Sequence, residues 1–171
     1  RYTKDLDNTF VYSDQLDRLT RGGAMKNLLL NDGFKNDFIN RFADLINTSF
    51  STDNINEIFQ NRKTMVEDFL GKHRQRWVLP YIRDVDIQGI PAYAAVQPGR
   101  QRNLLVQKFG LPGLASITLG VGSGEGAIKI NTIDIAPETP GISENPYPWT
   151  GVYFQDVPVS VCALADPGYR F

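Results

Sequence analysis

The sequence predicts an α+β fold: a helical layer over residues 24–78, then a small, mostly antiparallel β unit over residues 114–165. Three observations lead there. Apolar residues recur at helical spacing in the first half, and β-branched residues alternate in the last third. Hydrophobic residues make up 42% and charged residues 22% of 171, the composition of a chain that packs a core.

The elements follow in order. Met25, Leu28 and Leu29 give a short segment one apolar face, and Asp32-Gly33 is expected to end it as a turn. Phe34, Phe38, Phe42, Leu45 and Ile46 predict a helix whose phenylalanines form a ridge at four-residue steps. Ser51-Thr52-Asp53-Asn54 supplies capping residues for the next helix, along which Ile55, Ile58, Phe59, Met65, Val66, Phe69 and Leu70 recur. The two helices are expected to lie antiparallel and to bury Phe38, Phe42, Phe59, Val66 and Phe69 together.

Pro80, Pro91 and Pro98 are expected to break the following stretch, leaving one helix over Arg100–Phe109 that stops at Gly110-Leu111-Pro112-Gly113. Strands are expected over residues 114–119, 127–135, 149–154 and 157–163. A glycine-rich hairpin turn should separate the first two, and Gln155-Asp156 the last two. Residues 136–148 read as a loop. The organisation is therefore residues 1–110, mainly helical, and residues 111–171, a small β module.

Charge and motifs narrow the function. The net charge is −1 with both signs interspersed, which argues against nucleic acid as a partner. The basic run Lys72-His73-Arg74-Gln75-Arg76 reads as a solvated helix end. No apolar stretch approaches the roughly 18 residues of a membrane-spanning helix. The single cysteine, Cys162, sits in an apolar run and is expected to be a buried thiol. A lone histidine, His73, cannot build a zinc site without further ligands. Gly120, Gly122, Gly124 and Gly126 do not make a phosphate loop: Glu125 stands where a dinucleotide fingerprint needs glycine, and no helix follows. Asp5 and Asp7 point the same way if their segment is extended, an arrangement that can hold a hard cation. On residue types alone, a surface turn or helix cap accounts for them better.

The order of these features resembles the CotH (spore coat protein H, kinase-like) family. Leu29-Leu30-Asn31-x-x-Phe34-Lys35-x-x-Phe38-x-x-Arg41 is similar to that family's helix pattern. His73-x-x-Arg76-Trp77 is similar to its closing motif. Asp5-Leu6-Asp7-Asn8-Thr9-Phe10 resembles its metal-binding segment, with Val11 where the family often has glycine. The tail, with Gly151-Val152-Tyr153-Phe154 and Asp166-Pro167-Gly168-Tyr169, resembles the β segment that follows such domains in bacterial surface proteins.

The resemblance implies the C-terminal portion of a kinase-like domain, with Asp5 and Asp7 as metal ligands. It implies ATP and Mg²⁺ as cofactors of the parent domain, and as partner a protein substrate or a neighbouring domain of the same chain. The setting would be bacterial, extracellular or at the cell surface. A kinase-like site also needs a nucleotide-gripping lysine and a catalytic acid, which the resemblance places upstream of the metal aspartates. Starting at Arg1 and stopping at Phe171, the chain reads as cut from a longer protein. By itself it is expected to bind no cofactor tightly and to transfer no phosphate. The other reading is a non-catalytic surface scaffold or a carbohydrate- or protein-binding module, with Tyr147, Trp149 and Tyr153 as an aromatic platform, although β-core packing is the more ordinary role for such residues.

Overall fold

A computed structural model describes residues 15–77, 84–122, 126–165 and 168. The fold is α+β. Helices α1 (Gln15–Thr20), α2 (Gly23–Leu28), α3 (Asp32–Asn47), α4 (Thr52–Trp77) and α5 (Asp84–Phe109) precede strands β1 (Leu114–Leu119), β2 (Gly126–Ile130), β3 (Ile133–Ile135), β4 (Trp149–Phe154) and β5 (Val161–Ala165). The strands form two antiparallel sheets, one of order β1-β4 and one of order β3-β2-β5.

Local chemistry sets the boundaries. Asn31 caps α3: its side-chain oxygen accepts from the Phe34 N–H at 3.0 Å. Asp32-Gly33 therefore opens α3 instead of ending the helix before it. Ser51 caps α4 in the same way, its hydroxyl accepting from the Asn54 N–H. The run from Ala127 to Ile135 is not one strand. It folds back at Asn131-Thr132 into the β2–β3 hairpin, with Asn131 at φ 46°, a left-handed conformation that asparagine tolerates. The final strand begins at Val161 and not at residue 157. β1 and β2 belong to different sheets, so the glycine-rich segment joins sheets and turns no hairpin.

Helix α5 runs through both Pro91 and Pro98. A proline at position 98 has no N–H to offer the carbonyl of Ala94 one turn back. The Thr52 hydroxyl donates to that carbonyl instead, at 3.1 Å, so the first turn of α4 satisfies the group that the proline orphans. Thr52→Val keeps the shape and removes the donor. It is expected to cost about 1–2 kcal/mol in urea denaturation, the penalty of an unsatisfied, largely buried carbonyl.

One hydrophobic cluster joins the helical and β parts. Leu16 from α1, Ile39, Ala43 and Ile46 from α3, and Leu105 from α5 pack with Ile130, Ile133, Ile135, Trp149, Tyr153 and Phe154. The residues on either side of position 110 thus share one core. Helix α4 packs along α5 and not along α3, contrary to the expected pairing. The expected phenylalanine cluster divides accordingly. Phe38 and Phe42 are half-buried against the core, with ring centroids 5.1 Å apart, and Phe38 meets Phe109 edge-on at 6.0 Å. Phe59 is half-buried, while Val66 and Phe69 are exposed.

At the other end of the core, Asp17 of α1 pairs with Lys108 of α5 at 2.6 Å and with Arg21. The hydrogen bond from Lys108, then that from Arg21, holds the Asp17 carboxyl below its ordinary value.

Candidate functional site

The chemically richest part of the described structure lies where α3 meets the β sheets. Ile39, Ala43 and Ile46 form its apolar stripe. Beside them Asn40, Asp44 and Asn47 recur at i, i+4 and i+7, so a polar stripe runs along the same buried side. Each polar residue reaches the β part. Asn40 Nδ2 donates to the Pro158 carbonyl at 2.7 Å. Asn47 Nδ2 donates to the Val152 carbonyl at 3.0 Å, and its Oδ1 accepts from the Val152 N–H at 3.0 Å and from Arg102 at 2.7 Å. Arg102 is half-buried, and desolvation lowers its pKa from the ordinary arginine value.

Asp44 lies at the centre, with 0% of its surface exposed. Its Oδ1 accepts from the Tyr153 hydroxyl at 3.0 Å and from Asn131 Nδ2 at 3.2 Å. Its Oδ2 accepts from the Thr132 hydroxyl at 2.7 Å and from the Thr132 N–H at 3.2 Å. Those four bonds fill the acceptor positions of a carboxylate. The Thr132 hydroxyl in turn accepts from Arg41 at 2.7 Å, which links that cation to the carboxylate through one hydroxyl. Burial first, and then the charge of Asp44, pushes the Tyr153 phenol well above its ordinary pKa, so it stays a donor at neutral pH. The centre has no open position for a substrate. It fastens a helix to a hairpin and to a strand.

Two depressions flank it. An open cleft of about 560 Å³ lies between α3 and the β2–β3 turn, lined by Asp37, Asn40, Arg41, Thr132, Pro158 and Val159 among others. Asn40 is one of its lining residues, and its Oδ1 is buried without a hydrogen-bond partner. An apolar groove of about 380 Å³ lies between α3 and α5 at the start of α4, lined by Phe42, Ile46, Phe50, Ile55, Tyr93 and Pro98 among others.

The residues singled out from sequence fall as follows. Asp5 and Asp7 lie outside the described residues, as do residues 123–125 of the glycine-rich segment. Among the described residues, no group of three or more His, Cys, Asp or Glu side chains is placed to hold a metal ion. His73 is exposed near the end of α4. Cys162 is exposed on β5 instead of buried, because β5 packs only its edge against β2. The aromatic platform does not form. Trp149 and Tyr153 are buried in the core, and the Tyr147 hydroxyl is engaged with the Ile128 N–H and the Ile135 carbonyl. Among the described residues no helix is long and apolar enough to cross a membrane.

Asp44, Asn47, Asn131 and Thr132 had no place among the sequence candidates. The i, i+4, i+7 repeat of short polar side chains next to an apolar stripe was the available signal. The chain matches no protein-family model, no curated protein and no solved structure.

Proposed function

We propose that the chain is the C-terminal part of a CotH-like domain and forms its helical and β support. The whole domain would be an atypical ATP- and Mg²⁺-dependent protein kinase acting on surface or coat proteins outside the cell, with Asp5 and Asp7 as metal ligands. This portion alone would be inactive. The observation that carries the reading is the physical use α3 makes of the family-like pattern. Asn31 caps the helix, Phe38 packs on Phe42 and Phe109, and Arg41 ties the helix to the β2–β3 turn. A pattern in which Asn31, Phe38 and Arg41 have such tasks, although Leu30 is exposed, supports reading it as part of a folding unit.

The metal aspartates would act with a nucleotide-gripping lysine and a catalytic acid from the rest of the domain, because phosphoryl transfer depends on positioning and charge stabilisation. A second reading, a non-catalytic protein-binding scaffold, draws support from the apolar residues left exposed along α4. A carbohydrate platform loses its support, since its aromatic rings are inside.

Calorimetry with ATP and MgCl₂ separates the readings. This chain is expected to give no saturable heat at micromolar concentrations. A longer chain from the same parent is expected to give a one-to-one isotherm that Asp5→Ala or Asp7→Ala abolishes. An isotherm from this chain that depends on Asp5 or Asp7 would overturn the claim that it is inactive alone. Absence of nucleotide binding by the longer chain would overturn the kinase-like reading and leave the scaffold.

A further inference from the structure

Helix α4 leaves Ile58, Met65 and Phe69 47%, 64% and 66% exposed. Three basic residues fall on the same line. Ile58, Arg62, Met65, Phe69, Lys72 and Arg76 follow one another at steps of four, three, four, three and four, and all six are exposed. At about 3.6 residues per turn, such steps confine the six side chains to a sector of about 80° that runs about 27 Å along the helix. Arg62 reaches along this seam to the Met65 sulfur at 3.9 Å. The half-buried Phe59 and Leu70 mark another face of the helix. Exposed apolar residues in such a line mark an interaction surface.

Spacing and charge together say what fits. Alternating steps of four and three are the repeat of a coiled-coil seam, which is narrower than the apolar face a helix lays on a membrane. The cations sit within the seam and not at its borders. Among the described residues no carboxylate forms an ion pair with Arg62 or Lys72. By helical spacing Asp53, Glu57 and Glu67 lie on other faces, and Asp68 stands beside the seam, so no acid interrupts it. A second copy of α4 is a poor match. Laid parallel, it sets Arg62 against Arg62 and Lys72 against Lys72, and laid antiparallel about Met65 it sets Ile58 against Lys72. Charged residues at seam positions reject such partners and select one that carries the opposite charge.

We propose that the exposed seam of α4 docks an acidic amphipathic helix of a different protein or domain. That helix is apolar opposite Ile58, Met65 and Phe69 and carries Glu or Asp opposite Arg62, Lys72 and Arg76. The apolar contacts supply the affinity, because they withdraw surface from water. The carboxylates set partner and register, since complementary charge discriminates between arrangements more than it binds. The inference names a partner class for the scaffold reading and does not rest on the kinase-like one. Peptide binding and ATP binding are measured separately, so each can fail without the other.

The test is fluorescence anisotropy of the 171-residue chain with a labelled synthetic helical peptide of about three heptads. The peptide has leucine opposite Ile58, Met65 and Phe69 and glutamate opposite Arg62, Lys72 and Arg76, and is made in a parallel and an antiparallel version. One version is expected to bind in the micromolar range. Met65→Glu with Phe69→Glu is expected to raise its Kd by about tenfold or more, and so is Arg62→Glu with Lys72→Glu. A peptide with lysine at the two positions facing 62 and 72 should bind that second variant in preference to the unaltered chain. All four substitutions fall at exposed positions, and circular dichroism checks that the variants keep their helices. Failure of both peptide versions to bind at hundreds of micromolar overturns the proposal, as does binding indifferent to the charge exchange. Co-sedimentation with phosphatidylglycerol vesicles that depends on Met65 and Phe69, without peptide binding, would make the occupant a membrane. Dimerisation of the chain that depends on the same residues, without peptide binding, would make it a second copy.

Discussion

Asp44→Ala is expected to cost the fold about 3–5 kcal/mol, the range measured when one partner of a buried charged network is removed. The reason is what the alanine leaves behind. The Tyr153 hydroxyl, Asn131 Nδ2 and the Thr132 N–H all point at the carboxylate, and the Tyr153 hydroxyl is buried in the core, away from water. The stranded, buried phenol carries its own desolvation penalty, so the loss exceeds the net worth of any one bond. Tyr153→Phe removes a single donor and is expected to cost only about 1–2 kcal/mol. In Asp44→Ala with Tyr153→Phe, one stranded donor is gone, so the double variant should lose less than the sum of the singles. Guanidinium denaturation of the four proteins measures the cycle. Additive losses would show that the carboxylate and the phenol act separately.

Gly141→Ala is expected to cost about 3 kcal/mol, from two independent sources. Gly141 has φ 85°, a backbone conformation that side chains other than glycine rarely adopt. A methyl group there would also fall onto the backbone carbonyl of Thr48 at the end of α3, an atom that cannot swing away. Gly110 serves as the control. It also has positive φ, at 63°, but a methyl group there meets nothing within 4 Å. Gly110→Ala should show the conformational cost alone, about 1–2 kcal/mol. Thermal and denaturant melts that gave equal losses at the two positions would show that the loop does not press against α3 at Gly141.

The α+β class was legible because periodicity changes once along the chain, and strands β1 and β4 begin and end where the alternation does. Helix partners were not legible. A stripe of phenylalanines announces that a helix packs but not against what, and α3 turned Ile39, Ala43 and Ile46 to the sheets while α4 went to α5. Pro98 read as a breaker because its cure, the Thr52 hydroxyl, lies 46 positions earlier in the chain. The hairpin inside residues 127–135 was hidden because Asn131-Thr132 interrupts the β-branched run for only two residues and lacks the glycine that usually marks such turns. Asp44 escaped because an aspartate in a helix is ordinarily a solvated group, and its four hydrogen bonds come from three residues in two distant segments.

Asn47 matters for a hazard that folded sheets share. Strand β4 pairs with β1, and a two-stranded sheet leaves backbone groups that another extended chain can join. At Val152 both the N–H and the carbonyl are already taken by the side-chain amide of Asn47, which presents to the strand the donor and acceptor a neighbouring peptide would offer. One asparagine thus imitates a strand residue and seals the edge against intruders. Helix α3 is in this respect a guard against strand addition at Val152.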